Sequence, residues 1–155
     1  MATVTPFLWF DGGAEEALSL YTQVFEGSDV VEVSRVPMPD GGTPLMIGTI
    51  RIGGIEVVLF NGPPATFRFN ESISLVVGCA DQEEVDHYWY GLSDGGEPGQ
   101  CGWLKDRFGV SWQVVPTILG ELMGDPDPAK AGRVSEALMK MNRIECALLQ
   151  QAYDG

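Results

Sequence analysis

Apolar and polar positions change their period several times along the chain, and the order of the changes repeats. Residues 3–10 form a β-rich run that ends at Asp11-Gly12-Gly13, a turn signal. Across residues 14–25, Ala17, Leu18, Tyr21, Val24 and Phe25 recur at helical spacing. Glu15 and Glu16 stand in the first turn, where the helix dipole favours acids, and Gly27 ends the helix. Residues 30–36 alternate as a strand and residues 37–44 read as a loop. Residues 45–52 and 55–60 read as two strands joined at Gly53-Gly54, a dipeptide suited to a two-residue hairpin.

The order then begins again. Residues 72–77 predict a strand, Asp81 follows, and residues 82–92 predict a helix with Val85, Tyr88, Trp89 and Leu92 on one face. Residues 93–99 are a glycine-rich turn. Residues 102–105 and 110–115 predict a hairpin around Asp106-Arg107-Phe108-Gly109, and Pro116 stops the last strand. Asp11 and Asp81, each between a strand and a helix, mark the repeat. Pattern alone leaves an unrelated α+β fold with chance echoes open. Asp125-Pro126-Asp127-Pro128 breaks the chain, with Asp127 as helix cap and Pro128 as first helical residue. A terminal amphipathic helix follows, with Val134, Leu138, Met141, Ile144 and Leu148 as its stripe and a break near residues 142–145. Such a stripe needs a partner surface. The organisation expected is a first module over residues 1–64, a second over 65–120 and a helical tail over 121–155, one domain overall.

Charge narrows the partners. The 155 residues carry 22 acids against nine Lys and Arg, a net charge of −13. Nucleic-acid binding needs cations that displace counterions from phosphates, so that class is excluded. No apolar stretch is long enough for a membrane helix, and the N-terminus has no basic region of a secretory signal. The expectation is therefore a cytoplasmic protein without a membrane partner. Cys79, Cys101 and Cys146 are scattered without a paired spacing and read as reduced thiols.

Several segments then resemble a known family. These are Thr5-Pro-Phe-Leu-Trp-Phe-Asp-Gly12, Ala14-Glu-Glu-Ala17, Tyr21 with Val24-Phe25, Cys101-Gly-Trp-Leu-Lys-Asp-Arg-Phe-Gly-Val-Ser-Trp-Gln-Val-Val-Pro116 and the tail Ala137-Leu-Met-Lys-Met-Asn-Arg-Ile144. Together they resemble the PhnB-like proteins, described as 3-demethylubiquinone-9 3-methyltransferases. The stretch from Asp106 to Pro116 is the most specific. The resemblance implies an α+β chain with the glyoxalase/bleomycin-resistance/dioxygenase fold of the vicinal oxygen chelate superfamily. Two βαβββ-like modules then form cupped, mostly antiparallel sheets, a C-terminal helix is added, and members are usually homodimers.

Glyoxalase-fold enzymes hold a divalent metal with His, Glu or Gln from four strand positions, and the metal polarises a substrate oxygen pair. Counting from Asp11, Asp81 and the hairpins places those positions near Val4, Val58, Ser74 and Gln113. Only Gln113 can coordinate, and one neutral amide cannot hold a metal, so no metal and no cofactor are expected. Glu56, close to Val58, is the acid to watch. The single histidine, His87, falls on the second helix and reads as a surface or packing residue.

A cupped sheet makes a cavity even without metal. Alternation from Gln113 puts Ser111 on its face, and Trp103 and Cys101 on the neighbouring strand are expected to share it. Leu8 and Phe60 are added from the first module. Phe7, Trp9 and Trp112 alternate to the opposite face and read as core. For Trp103 and Gln113, pocket wall and core filling both stay open. No Ser-His-Asp set and no phosphate loop with a lysine is present. The leading reading is a metal-free protein that binds an unidentified small molecule, or a minimal enzyme. A metal-dependent lyase, dioxygenase or resistance enzyme of the superfamily is the first alternative. The methyltransferase of the family description is the second, although that chemistry normally uses a larger nucleotide-binding α/β fold.

Overall fold

The computed structural model describes residues Met1–Gly155. Contacts divide the chain into two units, Met1–Arg68 and Phe69–Gly155.

The first unit runs β1 (Phe7–Phe10), α1 (Ala14–Val24), β2 (Asp29–Val36), β3 (Leu45–Ile52), β4 (Ile55–Asn61). Its sheet has the order β1-β4-β3-β2, with β1 parallel to β4 and the other pairs antiparallel. Gly53 and Gly54 both adopt positive φ, which the tight turn between β3 and β4 requires. One face of the sheet is dry. Leu8, Phe10, Ile50, Val57 and Leu59 are buried there, and so are Ala14, Ala17 and Tyr21 of α1. The first strand is shorter than the run of residues 3–10 predicts. It starts after Pro6, which has no N–H to give, although the Pro6 carbonyl still accepts from Val58 N at 2.9 Å.

The second unit repeats the plan with β5 (Leu75–Cys79), α2 (Gln82–Ser93), β6 (Glu97–Pro98), β7 (Trp103–Lys105) and β8 (Ser111–Pro116). The order β5-β8-β7-β6, with β5 parallel to β8, matches the first sheet strand for strand. The internal repeat is therefore structural. Its aspartates are not equivalent. Asp81 caps α2 by accepting from Glu84 N at 3.0 Å, and Glu84 reaches back to Ala80 N at 2.7 Å. Asp11 instead pairs with Arg68 at 2.9 Å, and Asn61 Oδ1 takes the first N–H of α1, from Ala14, at 2.8 Å. Two elements depart from the expected pattern. Strand β5 starts three residues and ends two residues later than predicted, and the glycine-rich turn contains the short strand β6. Gly96 lets β6 lie against β7, since a Cβ there would sit 2.2 Å from the Lys105 carbonyl oxygen.

The tail belongs to the second unit and holds three helices: α3 (Thr117–Met123), α4 (Pro128–Leu138) and α5 (Cys146–Asp154). Asp127 caps α4, accepting from Ala129 N at 2.9 Å, with Pro128 in its first turn. Leu122, Val134, Met141, Ile144 and Leu149 form the buried cluster between the helices. The expected stripe is corrected at one position: Leu148 is exposed and Leu149 is buried. The interruption after α4 resets the helical phase, so spacing counted through it fails. The interruption also ties the tail to the turn before β7, because Met141 and Asn142 carbonyls accept from Cys101 N and Gly102 N, both at 2.8 Å.

Candidate functional site

The second sheet has one face packed under α2 and one open face. Val77, Cys79, Leu104, Trp112 and Val114 are buried on the helix side. Strand parity puts Trp103 and Lys105 of β7 and Ser111, Gln113 and Val115 of β8 on the other. The register sets Trp103 opposite Gln113 and Lys105 opposite Ser111. On this face lies a cavity of about 420 Å³ lined by Trp103, Lys105, Ser111, Glu71, Glu97 and Pro98, among others. That volume falls in the range of small-molecule sites.

Its polar groups are unevenly satisfied. Lys105 Nζ lies 2.5 Å from Glu71 Oε1. The lysine hydrogen bond lowers the Glu71 pKa below its ordinary value, and the same bond raises that of Lys105, with the Glu71 and Glu97 charges adding to it. Gln113 Nε2 donates to Ser74 Oγ at 2.9 Å. Ser111 is 2% exposed, and its hydroxyl has no hydrogen-bond partner. A buried hydroxyl without a partner carries a desolvation cost that a suitable ligand atom would relieve.

The six residues singled out from sequence do not all fall together. Trp103, Ser111 and Gln113 share the open face of the second sheet. Cys101 lies outside β7, in a left-handed turn with φ of 57°, and its thiol donates to the Leu138 carbonyl at 3.6 Å. The turn breaks the alternation that carried Trp103 to Cys101. In the first unit, Leu8 and Phe60 lie on opposite faces. Leu8 pairs with Leu59 on the helix side, while Trp9 pairs with Phe60 on the open side. The expectation that Phe7 and Trp9 are core is corrected on the same register. Both pack against Phe60, at 5.4 and 5.1 Å between ring centroids, and Phe67 closes on Trp9 at 5.1 Å. Gly62 is needed beside this cluster, because a Cβ there would sit 2.5 Å from the Trp9 and Phe60 rings. The run Phe7-Leu-Trp-Phe10 is apolar at every position, so it holds no parity signal.

The donor set does not fit a divalent metal. Val4 is exposed and outside the sheet, Val58 is apolar, and the Ser74 hydroxyl and Gln113 amide are hydrogen-bonded to each other. Glu56 shares the parity of Val58 but is held by Arg51 at 2.7 Å. No group of three His, Cys, Asp or Glu side chains gathers anywhere. His87 is exposed on α2, edge-on to Tyr88. The cysteines are free thiols. Burial, then the charges of Glu84, Cys146 and Asp81, pushes the Cys79 thiol up to about 12, so it is not a thiolate nucleophile near neutral pH.

Two modules of one topology, each a helix over a four-stranded mixed sheet, define the glyoxalase fold of the vicinal oxygen chelate superfamily. The family model described as 3-demethylubiquinone-9 3-methyltransferase matches residues 2–115, and the chain belongs to that PhnB-like family. A Bacillus cereus PhnB protein of the same description is 32% identical, with 75% of this chain and all of that one covered and a TM-score of 0.67. Protein PA1353 of Pseudomonas aeruginosa is 21% identical, with 75% and 98% covered and a TM-score of 0.62. The fosfomycin resistance protein FosX of Listeria monocytogenes is 14% identical, with 80% and 98% covered and a TM-score of 0.57, a likeness of fold. No curated protein matches the chain.

Proposed function

We propose that the protein binds a small organic molecule on the open face of its second module, through side chains alone and without a resident metal. The observation that carries this is a cavity lined by Trp103 and by Ser111, whose buried hydroxyl has no partner. Trp103 supplies a flat apolar wall and Ser111 a donor and acceptor, while Gln113, on the same face, is held by Ser74. Methyl transfer has less support, since neither sheet is the parallel nucleotide-binding kind that S-adenosylmethionine enzymes normally use. Metal-assisted chemistry would need donors that the four counted positions do not supply. We further propose that the protein works in the cytoplasm as a homodimer. The three free thiols suit a reducing compartment, and no helix is long and apolar enough to cross a membrane.

Naphthylmethanol, an uncharged flat probe, tests the site by titration followed at the tryptophan indole N–H signals. The expected result is a saturable shift at the Trp103 signal, identified by its loss in Trp103→Phe, with the Trp112 signal unmoved. Shifts elsewhere without one at Trp103 would remove the site. Manganese or nickel held at one ion per chain after dialysis would reinstate the metal-dependent reading.

A further inference from the structure

We infer that the cavity on the open face of the second module selects a cation: an organic ammonium carried on a flat apolar body. The inference rests on the reading of that cavity as a binding site and adds the charge of what it takes.

Three charged side chains line the cavity, and two of them are acids. Lys105 is its only cation, and Glu71 already holds that cation at 2.5 Å. Glu97 stands directly opposite Lys105 in the register of β6 and β7, so both carboxylates act on the same ammonium. The charge balance of the lining is therefore negative, with the charge of the lysine already offset by Glu71. An entering anion would share Lys105 with Glu71, whose charge already neutralises it, while approaching Glu97. An entering ammonium meets two carboxylates, of which Glu97 makes no hydrogen bond to Lys105 that would compete for it.

The neutral groups point the same way. The indole face of Trp103 attracts a cation through its quadrupole and stacks on a flat apolar body. The Ser111 hydroxyl accepts from an N–H as readily as it donates, so an ammonium or its neighbouring N–H satisfies the orphan oxygen. The net charge of −13 adds a long-range field of the same sign, which favours approach of cations. Lys105 itself has its amine held above the ordinary value, first by the Glu71 hydrogen bond, so it stays charged and paired at neutral pH.

Three probes of one shape test this: naphthylmethylammonium, naphthylmethanol and naphthylacetate, each titrated into the full chain and read at the Trp103 indole signal. The ammonium should bind about tenfold more tightly than the carboxylate, with the alcohol between them. Glu97→Gln should narrow that ratio, and Glu71→Gln, which frees Lys105, should narrow it further or reverse it. Both variants change exposed side chains, so they should fold as the parent does. Equal or tighter binding of the carboxylate would overturn the charge inference and leave the site standing. Failure of all three probes to move the Trp103 signal would overturn the site and the inference together.

Discussion

Asp106 sits in a hairpin turn, where aspartate is common, yet only 3% of it is exposed. One carboxylate oxygen accepts from Phe108 N at 2.9 Å and Val110 N at 3.0 Å, and the other from the Trp112 indole at 2.9 Å. The side chain thus fixes the turn and the one tryptophan of β8 together, and through them the parity that turns Ser111 and Gln113 to the open face. Asp106→Ala should leave three donors unpaired, two of them buried, and cost about 3 kcal/mol, read as a lower urea midpoint at unchanged slope. A loss below about 1 kcal/mol would mean that water takes the place of the carboxylate. Site residues were legible in sequence where alternation is clean. Ser111-Trp-Gln-Val114 alternates between a confirmed core tryptophan and polar neighbours, so its two faces separate. Phe7-Leu-Trp-Phe10 gives no such contrast, and Leu8 lies on the helix side instead of the open one. Nothing in the residue types announces the left-handed turn at Cys101. The contribution of Glu71 and Glu97 could not be seen either, because they reach the cavity from a loop and from a two-residue edge strand.

At the scale of elements, punctuation was the readable part. The turn glycines, Asp81 and Asp127-Pro128 mark boundaries that the structure keeps. Helix α3 has no signal of its own in the sequence, because Thr117, Ile118 and Gly120 are weak helix formers, and packing against α4 and α5 decides its state. Helix α5 is held to that layer at its end. Tyr153 donates to Asp125 Oδ2 at 2.6 Å, Asp127 N donates to Oδ1 at 2.8 Å, and Lys130 lies 4.8 Å above the tyrosine ring. The tyrosine hydrogen bond holds the Asp125 carboxyl below its usual range, and the same bond raises the Tyr153 phenol above its own. A depressed carboxyl contributes stability above its unfolded pKa, about 3.9, and loses it as pH falls through the folded value. A raised phenol contributes below its unfolded pKa, about 10, and loses it as pH rises through the folded value. The difference in melting temperature between the parent and Tyr153→Phe should therefore be widest between about pH 4 and pH 10 and shrink at both ends. A difference independent of pH would assign the tyrosine to packing alone.

For the whole molecule, the decisive feature is what the sheets leave uncovered. Each module buries one face under its helix and leaves apolar side chains on the other, with Phe7 54% and Val76 62% exposed. Apolar residues grouped on a sheet face call for a cover more strongly than single exposed ones do. On the first module, where no ligand is proposed, a second copy of the chain is the cover that the proposed homodimer supplies. The charge works against it, since two chains of net −13 repel each other. The balance of these two effects makes a prediction that neither makes alone. Sedimentation equilibrium should give twice the 16.8 kDa chain mass at physiological salt, with dissociation growing as the ionic strength is lowered and the repulsion is screened less. Burial of the first sheet's open face would then appear as loss of the Phe7→Lys dimer under conditions where the parent pairs. A single 16.8 kDa species at all salt concentrations would assign the exposed faces to ligand capture within one chain.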